Sequence, residues 1–310
     1  IEDLEKNSNL INHNSLIYFK DYIKSQKSSS ILNELITKTD ESKEKENQIA
    51  KFIREDDIDN FQKIVNQTNF NFNSKVPWSI FECMYFLNEK EMPTYAEYSC
   101  FFGSLKIFKF MILSGLLKST DEMIQKQIEK KLEVDNEYLN KLGEFAVIGG
   151  NYEIIHILED HGVKFNEISL LNSIKFQRNE ISNYLTETVG IQPTFNAIIM
   201  SVNYNNLSYF IDNFIYIINS NNNLNKNNLE KIWLSAAEFG RFEIINFLLD
   251  SGLEFDRNVK NDVGQTVLHV VILNGFFNIV EFFIQKKIFD LNNRDEFVLF
   301  YKYFKLFMEF

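Results

Sequence analysis

The chain has 310 residues, 45% hydrophobic and 24% charged, which supplies a sizeable core and excludes disorder over most of its length. Its 32 Lys+Arg stand against 43 Asp+Glu, a net charge of −11, which argues against a general binder of nucleic acid or of an anionic membrane. Two cysteines exclude a disulfide-rich scaffold and a complete structural zinc site.

The opening IEDLEKNSNL is acidic and has no hydrophobic centre, so it predicts no signal peptide. A start at Ile1 rather than Met leaves preceding sequence, with any targeting signal, to be expected. Residues 1–48 read as an N-terminal helical segment or cap, with apolar pieces at Leu16, Ile17, Phe19, Tyr22 and Ile23 and again at Ile31, Leu32 and Leu35. The charge run DESKEKE at 40–46 predicts an exposed loop or a solvated helix face. From residue 49 to residue 290 the pattern changes to short apolar helices separated by polar turns. Runs such as residues 70–72 are too short to argue for strands. The apolar stretch 207–218 is broken by Asp212 and Asn213, so no transmembrane helix is expected. The tract NSNNNLNKNN at 219–228 predicts a polar surface loop. Residues 291–310 form an atypical aromatic C-terminal tail, in which seven of the last fourteen residues are aromatic. Sequons at Asn66-Gln67-Thr68 and Asn206-Leu207-Ser208 lack a secretory context, and a reducing, cytoplasmic home is the default expectation.

Glycine spacing carries the architecture. Gly103 and Gly115, Gly150 and Gly162, and Gly240 and Gly252 are each twelve apart, and Gly252 and Gly264 span a connector. Apolar residues follow each leading glycine at the fourth and fifth positions: Ile107/Phe108, Ile154/Ile155, Ile244/Ile245 and, after Gly275, Ile279/Val280. More apolar pairs follow at the seventh and eighth positions, which completes one face of a helix. Four residues before the glycines stand Ser99, Ala146, Ala236 and Val271, mostly small, so two antiparallel helices can pack closely. Each unit therefore reads as helix, tight turn at Gly, helix, connector, with a left-handed cap at the closing glycine. Neither helix buries its face alone, so units must stack. Weaker copies place further turn slots at residues 57, 177 and 203.

Residues 261–285, NDVGQTVLHVVILNGFFNIVEFFIQ, resemble the ankyrin repeat. Gly264, Thr266, Leu268, His269, Gly275, Ile279 and Val280 match its pattern, while Val267 replaces the usual Pro and Val271 the usual Ala. AAEFGRFEIINFLLDSG at 236–252 is similar from the helix pair onward. Upstream segments around Gly103 and Gly150 look like a divergent Asn- and Phe-rich ankyrin family found in protists, largely of unknown function. The resemblance implies an all-α, ankyrin-like α-solenoid of stacked helix-turn-helix repeats over residues 49–290, of about six to seven units with a repeat near 33 residues. It brings no catalytic residues with it.

Candidate chemistry is thin. The resemblance implies that His269 links backbone groups of neighbouring hairpins. His156 and His161 lie five apart and point different ways around a helix, and His13 has no candidate ligand near it. Cys83 and Cys100 lack a CxxC or an adjacent His and read as buried thiols. Asp56-Asp57 reads as a helix start rather than a paired carboxylate. No phosphate-loop, dinucleotide-binding, zincin or nucleophile-elbow string occurs. No cofactor, metal or small-molecule substrate is expected, and no enzyme activity.

What remains is a protein partner. In ankyrin-type stacks the two residues before each turn glycine face the concave groove. Here they are Phe101/Phe102, Ile148/Gly149, Glu238/Phe239 and Leu273/Asn274, and Asp262, Val263 and Gln265 become hairpin-tip contacts. An apolar row of this kind predicts a binding stripe, because aromatic anchors dominate interface energies. Two other readings stay open: a damaged paralogue with only a structural role, and the targeting or regulatory part of a larger protein.

Overall fold

Every helix hairpin among the described residues turns at a left-handed residue: Asp56, Gly103, Gly150, Gln177, Asn205, Gly240 and Gly275, with φ between 50° and 80°. These seven positions set the register of the fold. The structure, a computed structural model, describes residues 47–68, 70–77, 92–116, 128–220 and 226–289, with the backbone alone at 128–136 and 217–220. The predicted N-terminal segment, the charge run at 40–46, His13, Cys83 and the aromatic tail lie outside the described residues.

The chain divides into two compact units, Ile1–Lys164 and Phe165–Phe310. In the first, α1 (Gln48–Glu55) and α2 (Ile58–Val65), α3 (Tyr95–Phe102) and α4 (Leu105–Leu113), and α5 (Ile128–Gly149) and α6 (Tyr152–Asp160) form three hairpins. Inner helices α1, α3 and α5 pack in sequence, as do outer helices α2, α4 and α6. In the second unit the hairpins are α7 (Glu167–Lys175) with α8 (Asn179–Glu187), α9 (Phe195–Asn203) with α10 (Leu207–Ser220), α11 (Lys226–Glu238) with α12 (Phe242–Asp250), and α13 (Val267–Leu273) with α14 (Phe277–Gln285). Here α7, α9, α11 and α13 stack in order. Among the described residues the extended pairing consists of isolated bridges, Lys75 with Thr94 and Lys260 with Thr266. The architecture is therefore all-α, built from stacked ankyrin-type helix pairs.

Two expected turn slots move. Asp57 is the N-cap of α2, where its carboxylate accepts from the Asn60 amide, and the left-handed residue is Asp56. The slot at 203 becomes Asn205, because α9 runs through Asn203; Asn enters the left-handed region more readily than most residues. In each displaced or non-glycine turn the bonding stays regular: the next amide donates to the carbonyl five residues back, as in Arg178 to Ser173 at 2.8 Å and Asn206 to Ser201 at 2.8 Å. That register extends the small-residue slot to Ser173 and Ser201, both fully buried like Ser99, Ala146 and Ala236. The buried serines return their hydroxyls to their own helix, at 2.7 Å for Ser99 to Ala96 and 2.6 Å for Ser201 to Ile198.

Helix starts are also legible in chemistry. Thr94 and Glu97 form a reciprocal capping box at α3, Asn166 and Ser169 one at α7, and Thr194 caps Ala197 at α9. Thr266 and His269 do the same at α13. The paired aspartates are both caps. Asp56 reaches over to accept from the Lys106 and Ile107 amides at the start of α4, at 3.2 and 3.0 Å. Hydrogen bonds from the Asn60 side chain and then its backbone hold the Asp57 carboxyl below its ordinary value.

The polar tract at 219–228 is shorter as a loop than expected, because α10 extends to Ser220 and α11 begins at Lys226. Asn206 is 2% exposed, so this sequon asparagine is a structural residue and not an accessible acceptor.

Candidate functional site

At four of the turns, the residue that follows ties one hairpin to the one before. Ser104 donates its hydroxyl to the Ile53 carbonyl. Asn151 Nδ2 donates to the Gly103 carbonyl at 3.3 Å. Asn206 Nδ2 donates to the Ile174 carbonyl at 3.0 Å and to Asn179 Oδ1 at 2.7 Å. Arg241 Nε donates to the Val202 carbonyl at 2.8 Å, and its Nη2 to the Asn203 carbonyl. Apart from Asn179 Oδ1, these acceptors are carbonyls at the C-terminal ends of the inner helices, where the regular helical ladder stops. Asn274 serves the same end, donating to the Glu238 carbonyl at 3.0 Å. Within each unit, a row of inner-helix ends is thereby locked together beside the turns.

The two residues before each turn sit on this row, and the two units differ there. In the first unit Phe102 is 36% exposed and stacks on Tyr98 at 4.6 Å and Phe101 at 5.0 Å. Ile148 and Gly149 do not face an open groove, contrary to expectation. Ile148 is buried, and a Cβ on Gly149 would lie 2.5 Å from the Phe101 carbonyl oxygen, so α5 and α3 approach backbone to backbone at that point.

In the second unit the row is open. Phe239 is 40% and Leu273 57% exposed, and Glu238 and Asn274 are exposed beside them. Two further pairs were not singled out from the sequence: Lys175/Phe176, before the turn expected at Gln177, and, in the corrected register, Asn203/Tyr204, with Tyr204 42% exposed. The usable signal was Asn205 two residues beyond the assigned slot, together with the buried Ser201 four residues before it. Phe176, Tyr204 and Phe239 thus occupy one equivalent position in three successive hairpins. Cations interleave with them: Lys175 Nζ lies 5.4 Å from the Phe176 ring centre and 5.2 Å from that of Tyr204, and the Arg241 guanidinium lies 5.7 Å from Phe239. Burial lowers the Arg241 pKa, opposed by Glu243. The row is continuous, since Gln177 Nε2 donates to the Tyr204 carbonyl at 3.4 Å and Ser235 Oγ to Asn203 Oδ1 at 2.5 Å.

The hairpin tip holds Asp262 and Val263 outward, Val263 at 75% exposure. Gln265 is half-buried and bonded within the tip, accepting from Asn261 Nδ2 at 3.1 Å. Gly264 makes the turn with φ 80°. Trp233 anchors the strip behind it, donating from Nε1 to the Arg257 carbonyl at 3.3 Å and packing on Phe255 and Phe283. His269 Nδ1 stands 2.5 Å from the Thr266 hydroxyl, within its own helix start. Leu268 is buried. Gly240 is fixed twice over, by φ 64° and by the Phe276 ring, which a Cβ would meet at 2.6 Å.

His156 pairs with Glu159 at 3.0 Å and His161 with the Ile157 carbonyl at 2.7 Å, so each bonds to its own helix turn. Among the described residues no group of three or more His, Cys, Asp or Glu could hold a metal ion, and no helix is long and apolar enough to cross a membrane.

Helix hairpins with left-handed turns, stacked in order and joined by inter-hairpin bonds, make an ankyrin-like repeat architecture among the described residues. Residues 234–284 match the family described as "Ankyrin repeats (many copies)". The crystal structure of the human ASB11 ankyrin repeat domain is similar over 73% of this chain and 91% of that one, with 11% identity and a TM-score of 0.43. No curated protein matches the chain.

Proposed function

We propose that the second unit binds another protein across the row formed by Phe176, Tyr204, Phe239 and Leu273, without catalysing a reaction. The observation that supports this most is the repetition of an aromatic at one position in three successive hairpins, with Tyr204 and Phe239 left exposed. Core packing does not require that exposure, and large exposed apolar side chains in a line are the usual mark of an interaction surface. The titratable groups that the sequence singled out are engaged in caps and local turns, so they support no catalytic reading.

A photo-crosslinking amino acid placed at Tyr204, with a second at the exposed outer-helix residue Asn183 as control, tests the proposal. A discrete adduct from position 204 with none from position 183 supports it. Equal labelling from both positions, or from neither, refutes it.

A further inference from the structure

The row of the second unit carries one unpaired charge of each sign. Lys175 projects between the Phe176 and Tyr204 rings and forms no ion pair among the described residues. Glu238 is exposed two hairpins further on, and its carboxylate likewise has no hydrogen bond or ion pair among the described residues. Between them lie Asn203, held by Ser235 and so neutral and engaged, and the rings of Tyr204 and Phe239. Arg241 keeps its charge, but its donors are turned inward to the Val202 and Asn203 carbonyls and Glu243 stands near it.

We infer that the segment bound on this row is a dipolar stretch of another protein: a carboxylate opposite Lys175, apolar or aromatic side chains over Tyr204 and Phe239, and a cation opposite Glu238. This rests on the reading of the row as an interaction surface. Helices α7, α9 and α11 stack in order, and neighbouring helices pack about 8–10 Å apart, so the two charges lie about 16–20 Å from each other. An extended chain covers that span in about five or six residues at about 3.3–3.6 Å each. A dipolar segment also suits the whole molecule. The net charge of −11 repels an acidic partner over long range, whereas a segment of no net charge escapes that repulsion and meets only the local charges.

The test uses three end-blocked, dye-labelled peptides, Asp-Ser-Leu-Phe-Leu-Ser-Lys and its relatives with Asp at both ends or Lys at both ends. Binding is read by fluorescence anisotropy at low salt on the full chain. The wild type should prefer the dipolar peptide about three- to tenfold over both others, the size given by exposed ion pairs at two ends. Lys175→Glu should turn the preference to the dilysine peptide, Glu238→Lys to the diaspartate peptide, and the double swap should restore the dipolar one. Lys175→Gln and Glu238→Gln, which keep side-chain bulk, should each weaken the preference. If the peptides bind and Tyr204→Ala removes binding, yet the charge swaps leave the order unchanged, the dipolar assignment is overturned while the interaction row stands. If no peptide binds the wild type more tightly than Tyr204→Ala, both are overturned.

Discussion

Two residues show the cost of a local rule broken inside a regular stack. Tyr209 occupies the fourth position after its turn, where Ile107, Ile154, Ile181, Ile244 and Ile279 stand in other hairpins. It is 3% exposed, and its hydroxyl has no hydrogen-bond partner among the described residues. Burial alone pushes its pKa well up, with no neighbouring charge involved. A buried unmet hydroxyl costs about 1–3 kcal/mol, so Tyr209→Phe should raise the unfolding free energy by about 1 kcal/mol in urea titration. No change, or a loss, would mean that the hydroxyl has a partner after all. Gln177 holds φ 56° where four of the other turns have glycine. A side chain in that region costs about 1–2 kcal/mol, while glycine gives back about 0.5–1 kcal/mol through unfolded-state entropy. Gln177→Gly should therefore stabilise by about 0.5 kcal/mol, and a clear destabilisation in the same titration would show that the Gln177 bond to Tyr204 outweighs the strain.

At the scale of elements, the hairpin joints decide stability. Asn206 is buried and makes three side-chain bonds, to the Ile174 carbonyl, to Asn179 and from the Tyr209 amide. Asn206→Ala strands those partners and should cost about 2–4 kcal/mol by chemical denaturation. A cost no larger than that of an ordinary exposed N-cap would contradict the ladder's role. The glycine turns and the apolar face after them were legible in the sequence because each is a repeated residue type at a fixed offset. The joints were not, since Ser, Asn and Arg fill the same place and share only reach and hydrogen-bonding capacity. Asn205 hid its turn because left-handed geometry there leaves no glycine to see, whereas the Gln177 slot was legible from Ile181 and Leu185, which follow it at the expected offsets. The connectors at 162–166 and 188–194 run without a paired finger, which shortens the step between turns to 27 residues from Gly150 to Gln177 and 28 from there to Asn205. A fixed-period search loses register over such steps, and with it Tyr204.

At the scale of the whole molecule, the units present different faces at equivalent positions. In the first, Ile148 is buried and Gly149 closes the row by backbone contact, so Phe101 and Phe102 have no open neighbour in the next hairpin. In the second, four successive hairpins keep the row open. The sequence pattern puts Phe239 and Leu273 just before their turns, and the structure leaves both exposed there, but their environment depended on packing that no single position reveals. The central claim is that the row is surface and not core. The most direct measurement is a thermal melt by circular dichroism of wild type and Phe239→Glu. The account predicts a cooperative helical transition in both, with the midpoint moved by no more than about 2–4 °C, the shift of a change near 1 kcal/mol in a chain of this size. A broad transition, or loss of helix at room temperature in the variant, would place Phe239 in the core and contradict the account.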